Sequence, residues 1–346
     1  MRLLLPLVVL SGCVEYELSR FDNKDDFLQD PPAEVDVLVI VDNSFSMEPY
    51  QEKLSSNFDA FVSFFTQANV DYRIGVLTTN TLDSDHGAQN GCTPEQVEAI
   101  PPAGELVGGA YITPDTPKAD KLFSDLVQVG VCGVGLEMGY ESAWRSLKID
   151  TKLNREFRRP DASLSLLFVS DEEDGSPLPP RTYVDLMRKE VNALEDRRRF
   201  NISALVYTDG EDCSNAQRQA ASRGDRFFSG VSATNGILGD ICSPDYNGAL
   251  TDMSLAAARL TEVFFLAEEP DAGTLEVTID GLIWPCDDGS WTYSREIRDG
   301  TEAPAIRFPR TSLPPAGANI SVRYSRGSGD EDAFCTGTTA TAEEGA

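Results

Sequence analysis

Residues 35–46 read VDVLVIVDNSFS, and this stretch decides the fold of the chain. Its first seven residues form an almost unbroken run of β-branched and other apolar side chains, which is typical of a strand buried on both faces of a parallel sheet. The run stops at Asp42, and the hydroxyls of Ser44 and Ser46 follow within four residues. The stretch therefore predicts an open α/β sheet with a ligand site at the carboxyl end of this strand.

Strand and helix patterns alternate on the carboxyl side of this stretch. Apolar residues recur at helical spacing between short apolar runs that have no such spacing. Alternation of this kind predicts a doubly wound, mostly parallel sheet flanked by helices, which is an α/β fold. The further predicted strands are residues 72–77, 110–112, 164–169 and 202–207, and the predicted helices are residues 54–65, 136–147, 183–194 and 250–260.

The pattern changes at residue 263. From there, short apolar runs stand at turn-rich intervals, and no helical spacing separates them. Such a pattern is typical of a small all-β module. We predict this module at residues 263–326, followed by a polar tail at residues 327–346.

The first residues have the composition of an export signal. Eight apolar residues follow Arg2, whereas roughly 20 are needed to span a bilayer. Residues 10–13 then read LSGC, which resembles the bacterial lipobox. The resemblance implies that Cys13 is lipidated and that its acyl chains anchor the protein to a membrane. In such lipoproteins, an aspartate after the lipidated cysteine commonly retains the protein at the inner membrane. Val14 stands at this position here, so the outer membrane is favoured.

These patterns divide the chain into five predicted parts. Residues between the lipobox and the first strand are polar and acidic and end in two prolines, which predicts a tether. The parts are a signal peptide at residues 1–12, an acidic tether at 13–33, the α/β domain at 34–262 with an inserted loop at 80–118, the β module at 263–326 and the polar tail at 327–346.

Seven cysteines bear on the compartment. Once Cys13 is assigned to the lipid, six are left and none belongs to a CxxC pair, which argues against a zinc site. An even number of cysteines in an exported chain predicts disulfides. Six cysteines allow about 15 pairings, of which we expect the sequential one. The predicted pairs are Cys92–Cys132, Cys213–Cys242 and Cys286–Cys335.

Charge restricts the choice of partners. The chain has 29 Lys and Arg against 57 Asp and Glu, giving a formal net charge of −28. Such a surface repels phosphate backbones, so we expect no nucleic-acid partner. The charge also disfavours contact with an anionic membrane face, so attachment to a membrane is expected to depend on the lipid at Cys13.

A second aspartate is predicted to lie beside the first strand end. Asp171 directly follows the buried run at residues 164–170. Because parallel strands end at the same edge of a sheet, Asp171 is expected to face Asp42, Ser44 and Ser46. Carboxylate and hydroxyl oxygens suit hard cations. We therefore predict a divalent-cation site, with Mg²⁺ as the first choice and Mn²⁺ or Ca²⁺ as alternatives.

Asp-x-Ser-x-Ser after a hydrophobic strand, with a distant aspartate after another strand, resembles the metal-ion-dependent adhesion site of von Willebrand factor type A domains. The resemblance covers roughly residues 34–260. It implies that Ser44 and Ser46 bind the metal directly, while Asp42 and Asp171 act largely through water and hydrogen bonds. A metal with few anionic ligands stays electrophilic, so the resemblance also implies that it accepts a carboxylate from a partner protein.

One part of the family pattern is missing here. The family supplies a threonine from the loop before its third helix, but residues 131–135 read VCGVG and contain no hydroxyl. Thr78, Thr79 and Glu137 could reach the same edge of the sheet, and we assign Thr78 to the site. Motifs at residues 133–137, 170–174 and 239–242 more closely resemble a group of exported bacterial lipoproteins that carry this domain.

No catalytic role is predicted. A haloacid dehalogenase-type phosphotransferase also begins with a strand and an aspartate, but it needs a second acid where Ser44 stands. The only histidine, His86, lies in a polar loop, and no Gly-x-Ser-x-Gly elbow accompanies it.

Two functions remain open from the sequence. The chain is either a metal-dependent module that binds an acidic group on another envelope or extracellular protein, or a structural envelope lipoprotein with an idle site. In the second case Ser44 and Ser46 merely cap a helix. The inserted loop at residues 80–118 favours the first, because binding residues concentrate on loops held by a rigid scaffold.

Overall fold

The computed structural model describes residues 21–29, 34–67, 70–81, 92–133, 135–210, 212–298 and 300–327. The predicted signal peptide, Cys13, the ends of the tether, part of the inserted loop, His86, Cys335 and nearly all of the polar tail lie outside the described residues. The chain divides into two compact units. The α/β unit comprises Gln29–Thr261 and Pro314–Ala318, and the β unit comprises the described residues of Met1–Leu28, Glu262–Leu313 and Asn319–Ala346.

A five-stranded sheet forms the centre of the α/β unit, and all of its strand pairs are parallel. Its two central strands are buried almost throughout, as expected for strands covered on both faces. In chain order its strands are β2 (Glu34–Val41), β3 (Asp71–Thr78), β4 (Ser163–Ser170), β5 (Phe200–Val206) and β6 (Leu238–Asp240), and in space the order is β3-β2-β4-β5-β6.

Helices connect these strands. A stacked group of rings fills the space between helix and sheet, with the Tyr140 ring 4.8 Å from Phe168 and 5.7 Å from Phe227. Each such pair stabilises by about 0.5–1.5 kcal/mol beyond the area that it buries. The helices are α1 (Glu48–Ser55), α2 (Phe58–Gln67), α3 (Pro94–Glu98), α4 (Ala119–Val127), α5 (Gly139–Lys148), α6 (Lys152–Phe157), α7 (Pro180–Glu190), α8 (Asn215–Ala220), α9 (Asp225–Thr234) and α10 (Asn247–Ala258).

The β unit contains two antiparallel sheets, one of four strands and one of three. Alternate residues of its strands are buried, including Val277, Ile320 and Val322, which gives each strand one inner face. Its strands are β1 (Asn23–Leu28), β7 (Val263–Phe265), β8 (Glu276–Ile279), β9 (Leu282–Trp284), β10 (Thr292–Arg298), β11 (Thr301–Arg307) and β12 (Asn319–Tyr324), in the orders β1-β12-β8-β9 and β10-β11-β7.

Part of the predicted acidic tether is a strand. β1 pairs with β12 in an antiparallel register from Asn23 opposite Tyr324 to Leu28 opposite Asn319. The prediction of a tether over residues 13–33 is therefore wrong for this segment. The sequence NKDDFL carries almost no apolar alternation, and its pairing depends on a partner strand almost 300 residues later in the chain.

Two other expectations fail in the α/β unit. Residues 110–112 do not add a parallel strand, because Ile112 makes only an isolated antiparallel bridge to Ile74. The helix expected at residues 54–65 is interrupted at Ser56 and Asn57. The side chains of both residues bond the carbonyl of Lys53, which competes with continuation of the helix.

Two disulfides join the predicted partners. Cys92 pairs with Cys132 across 40 residues of sequence, and Cys213 pairs with Cys242 across 29. A disulfide that closes a loop of this length stabilises the folded state by about 3–4 kcal/mol, because it restricts the conformations of the unfolded chain. Cys286 is also disulfide-bonded, and its predicted partner Cys335 lies outside the described residues.

None of the described helices combines the length and the apolar character that a membrane crossing requires.

Candidate metal site

The carboxyl ends of three neighbouring strands bring the site together. Val41 lies opposite both Thr78 of β3 and Val169 of β4 in the parallel register. The backbone continues this pairing one residue further, because the N–H of Asp42 donates to the carbonyl of Val169 at 2.9 Å. Side chains that follow β2, β3 and β4 therefore meet at one edge of the sheet, as the sequence predicts.

The loop after β2 is folded around its own aspartate. The N–H of Ser44 donates to Oδ1 of Asp42 at 2.7 Å, and one 3₁₀ turn, Phe45–Met47, then leads into α1. Ser44 begins this turn, but its hydroxyl makes no capping bond. The hydroxyl of Ser46 donates instead to Asp171. The interpretation in which these serines merely cap a helix is therefore wrong.

Four predicted ligands form one connected group of oxygen atoms. The hydroxyls of Ser44 and Ser46 lie 3.3 Å apart, and the hydroxyl of Ser46 donates to Oδ1 of Asp171 at 3.1 Å. Asp42 joins the group through the loop and through Ser170, whose hydroxyl donates to Oδ2 of Asp42 at 2.6 Å. We call Asp42, Ser44, Ser46 and Asp171 the oxygen cluster.

At the end of β3, Thr79 is linked to Glu137 by a side-chain hydrogen bond. Thr78 pairs with Val41, so the next residue, Thr79, is level with Asp42 at the sheet edge. The hydroxyl of Thr79 donates in a short hydrogen bond to Oε2 of Glu137. The assignment of Thr78 as a metal ligand stays a prediction.

Burial and mutual repulsion dominate the electrostatics of the cluster. Asp42 is fully buried, and this burial raises the pKa of its carboxyl. Burial first, and then the negative charge of Asp42, raise the pKa of Asp171 to about 7 and that of Glu137 well above its usual range. The same two causes raise the pKa of Glu172. Four carboxyl groups therefore oppose each other's ionisation.

The chemistry of these groups fits a hard divalent cation. Hydroxyl and carboxylate oxygens are the ligands that Mg²⁺, Mn²⁺ and Ca²⁺ prefer. Oε1 of Glu137 is buried and accepts no hydrogen bond among the described residues, and the carboxyl group of Glu137 lies next to that of Asp42. A cation would also remove the repulsion that raises these pKa values.

A second group of potential metal ligands lies at the end of β6. Among the described residues, Cys213, Asp240 and Cys242 bring their ligand atoms within 4.8 Å of one another. The two sulfurs are joined in a disulfide, so neither is available as a thiolate. This group is therefore structural.

Buried contacts fix the loops that hold the oxygen cluster. The amide of Gln51 donates to the carbonyl of Asp42 at 2.9 Å and to that of Gly130 at 2.8 Å. The N–H of Gly133 donates to the carbonyl of Asn43 at 2.8 Å. A Cβ at position 133 would lie 2.3 Å from Oδ1 of Asn43, so a larger residue there would have to displace the buried amide of Asn43.

Exposed apolar side chains stand next to the cluster in sequence. Phe45, between the two serines, is 62% exposed, and Leu136, beside Glu137, is 46% exposed. Large apolar side chains exposed at the mouth of a polar site are common at binding surfaces. The edge of the sheet therefore offers a polar centre with apolar neighbours.

Sequence reasoning did not single out Ser170 or Gln51. Ser170 had a detectable signal, because it is the polar last residue of a buried strand directly before Asp171. Gln51 had none, since a glutamine in the first turns of a helix is usually solvated.

Comparison with known proteins identifies no family: no family model and no curated protein matches the chain. Among solved structures, it is similar to the pilus adhesin SpaC from Lactobacillus rhamnosus GG in its open conformation, with 12% identity and a TM-score of 0.40 over 85% of this chain and 38% of that chain. It is also similar to proximal thread matrix protein 1 from the mussel byssus, with 12% identity and a TM-score of 0.36 over 70% of this chain and 51% of that chain. The chain thus spans less than two thirds of the length of either protein.

Proposed function

We propose that the α/β unit is a von Willebrand factor type A domain and that the protein is a metal-dependent binding module without enzymatic activity. The observation that carries the proposal is the oxygen cluster. Asp42, Ser44 and Ser46 meet Asp171, which is 125 residues away from Ser46, and their hydroxyls are directed at one another instead of capping a helix. This arrangement, at the carboxyl edge of a parallel sheet, supports a cation-binding role.

In the proposed site, Ser44 and Ser46 would hold the cation, with Asp42 and Asp171 completing the site. Ser170 and the N–H of Ser44 keep the carboxylate of Asp42 oriented. When bound, the cation supplies a positive charge that accepts an oxygen ligand from outside the protein. We favour Mg²⁺, with Mn²⁺ or Ca²⁺ as alternatives, since all three take oxygen ligands.

The proposed partner is another protein of the cell envelope or the extracellular space that presents a carboxylate. A carboxylate is the side-chain ligand that such a cation accepts best. The exposed side chains of Phe45 and Leu136 would contact apolar residues beside that carboxylate.

We further propose that lipid at Cys13 anchors the protein in the cell envelope, with the outer membrane favoured. The LSGC sequence at residues 10–13 supports this anchor. Replacing Cys13 by serine should release the protein from the membrane fraction. If labelled fatty acid remained on that variant, the lipid assignment would be wrong.

A structural envelope protein with an idle metal site is the second candidate. β9 is the last strand of its sheet, and two of its side chains, Leu282 and Ile283, are 71% and 66% exposed. An exposed apolar edge strand can pair with another protein by hydrogen bonds alone. Contacts of this kind would not depend on a cation, so chelation separates the two functions.

Cation binding is tested by thermal unfolding of the purified protein with Cys13 replaced by serine. Millimolar Mg²⁺ or Mn²⁺ should raise the melting temperature, because a ligand of the folded state stabilises it. Asp42→Ala should abolish the shift. Asp59→Ala, which removes an exposed acid on α2, should keep it. The absence of any shift in the unsubstituted protein would rule out the metal-dependent function.

The partner is tested by affinity capture from envelope extracts with and without EDTA. We expect a captured protein that is lost with EDTA and lost with Asp42→Ala. Capture that persists under both conditions would favour the structural candidate and the edge of β9.

A further inference from the structure

Glu137 is a deeply buried carboxyl group that the family pattern does not account for. It lies just before α5, and 1% of its surface is exposed. Thr79 donates to its Oε2, while its Oε1 has no hydrogen-bond partner among the described residues. A buried carboxylate oxygen without a partner is costly, and such atoms in folded proteins call for a specific explanation.

The backbone on both sides of Glu137 is held in place. Its carbonyl accepts from the N–H of Gly175, in the loop after β4, at 2.5 Å, and the N–H of Met138 donates to the carbonyl of Thr79 at 3.1 Å. A Cβ at position 175 would lie 3.1 Å from the carbonyl oxygen of Glu137. The loops that follow β3 and β4 therefore fix this residue beside the oxygen cluster.

The side chain is directed towards a second negative group. Glu137 and Asp42 are both buried and interact through their carboxyl groups. Two buried carboxylates facing each other are unfavourable unless they share a proton or a cation stands between them or near them. Asp42 belongs to the oxygen cluster, so a cation bound there would replace a shared proton and let both carboxyl groups stay ionised.

We propose that Glu137 is a further ligand of the cation and that Thr79 is its positioning residue. The inference rests on the proposed function, and it places a carboxylate where the family pattern has a threonine hydroxyl. The extra negative charge raises the affinity of the site for divalent cations, because ligand charge is a main determinant of that affinity. It also leaves the bound cation less electrophilic, which weakens its hold on a carboxylate from a partner.

Calorimetric titration of the full chain, carrying Cys13→Ser, with Mg²⁺, Mn²⁺ and Ca²⁺ tests the first consequence. Glu137→Gln keeps the size of the side chain and removes its charge, so the dissociation constant should rise by roughly tenfold or more. Glu48→Gln is the matched control. It removes a charge from an exposed residue two positions after Ser46, and the dissociation constant should change by less than about twofold. An unchanged dissociation constant in Glu137→Gln would overturn the inference.

A second measurement uses acetate as a probe of the bound cation. In protein saturated with Mn²⁺, the relaxation of acetate protons reports how tightly acetate binds. Acetate should bind severalfold more tightly to Glu137→Gln than to the unsubstituted protein, because the cation has lost an anionic ligand. A purely structural role for Glu137 would leave acetate binding unchanged, and that result would contradict the inference.

One further variant, compared with the unsubstituted protein, separates the possible failures. Thr79→Val leaves Glu137 in place but removes its hydrogen bond, so it should weaken cation binding less than Glu137→Gln does. This variant tests the inference even if Glu137→Gln does not fold. If the unsubstituted protein binds no cation, both the proposed function and the inference are wrong. If it binds a cation as tightly as Glu137→Gln and Thr79→Val do, only the inference is wrong.

Discussion

A buried aspartate lies near each end of strand β2, and the two aspartates have different neighbours. Near the amino end, Asp36 is 2% exposed and accepts from the backbone N–H of Arg159 at 2.7 Å and from its Nε at 2.8 Å. Just past the carboxyl end, Asp42 is fully buried, and it accepts from the hydroxyl of Ser170 and the N–H of Ser44 beside other carboxyl groups. Among the described residues, Asp36 has a paired cation from its own chain and Asp42 has none.

The difference separates a charge that is paired within the chain from a charge that has no cationic partner among the described residues. Burial raises the pKa of Asp36 to about 6, although Arg159 acts in the other direction. At the other end, burial and neighbouring acids act together on Asp171 and Glu137. At the amino end, Arg159 compensates the charge of Asp36 within the chain. At the carboxyl end, the buried acids repel one another, and a bound cation would reduce this repulsion. Variants at the two ends should therefore behave differently.

The largest effect is expected from Arg159→Met. The side chain of Arg159 is 9% exposed, and its removal leaves the carboxylate of Asp36 buried without a cation. The free energy of unfolding should fall by about 3–5 kcal/mol, measured by urea unfolding in EDTA. Adding Asp36→Leu to this variant should recover most of the loss. A loss below about 1 kcal/mol in the single variant would mean that Arg159 does not compensate Asp36.

A change of opposite sign is expected at the other end. In EDTA at pH 8, Asp171→Asn should raise the free energy of unfolding by about 1–3 kcal/mol, because it removes one of several repelling charges. The new amide oxygen can still accept from Ser46. Asp36→Asn is the comparison at the other end of β2. It also removes a buried charge, but it weakens the hydrogen bonds from Arg159, so its gain should be smaller than that of Asp171→Asn. If both variants are destabilised to the same degree, the two ends of β2 are electrostatically alike.

The pH dependence of the metal-free protein should reflect both ends. The folded pKa values of Asp36 and Asp171, about 6 and about 7, lie above the unfolded value of roughly 4. The stability that these protons confer is therefore fully present below pH 4 and is lost as pH rises through 6 and 7.

Urea midpoints in EDTA between pH 4 and pH 8 test this expectation. Asp36→Asn should flatten the decline between about pH 4 and pH 6, and Asp171→Asn should flatten it from about pH 4 up to pH 7. A urea midpoint that increases steadily from pH 4 to pH 8 would contradict the predicted loss of stability with rising pH.

The smallest effect is expected from a change in the loop next to the site. Gly133→Ala places a Cβ against the buried amide of Asn43, whereas a Cβ at Gly135 meets nothing within 4 Å. Gly133→Ala should cost about 1–2 kcal/mol of stability and weaken Mg²⁺ binding, while Gly135→Ala should change stability by less than about 0.5 kcal/mol. Equal effects of the two substitutions would mean that the close approach at Gly133 does not matter.

The sequence predicted the parallel sheet better than the β unit. Strands such as β2 and β4 are buried on both faces, so their composition alone marks them as strands. β1 is polar, and its existence depends on β12, so no local pattern could reveal it. The apolar residues around Ile112 suggested a strand. Its single bridge to Ile74 depends on tertiary packing, which the local sequence does not reveal.

Some residues of the candidate site could likewise be predicted from the sequence, and others could not. Asp42, Ser44 and Ser46 follow from one strand end, and Asp171 follows from the parallel strand beside it, so both were predictable from position in the chain. Choosing between Thr78 and Thr79 requires the side-chain parity of β3 at its last residue, which depends on where the strand ends. The orientation of Glu137 is set by the hydrogen bonds of an irregular loop, about which periodicity says nothing.

The acids beside the oxygen cluster also have a consequence for the speed of binding. Glu172 and Glu173 are half-buried in the loop after β4, on a chain with a net charge of −28. An acidic partner would meet long-range repulsion before it reached the cation, and salt screens such repulsion beyond about 10 Å at 0.1 M ionic strength. Association would then accelerate as salt is added, the reverse of proteins that steer their partners by opposite charge. Stopped-flow measurements of the association rate constant at increasing NaCl would therefore show whether the acidic surface around the proposed cation slows the approach of such a partner.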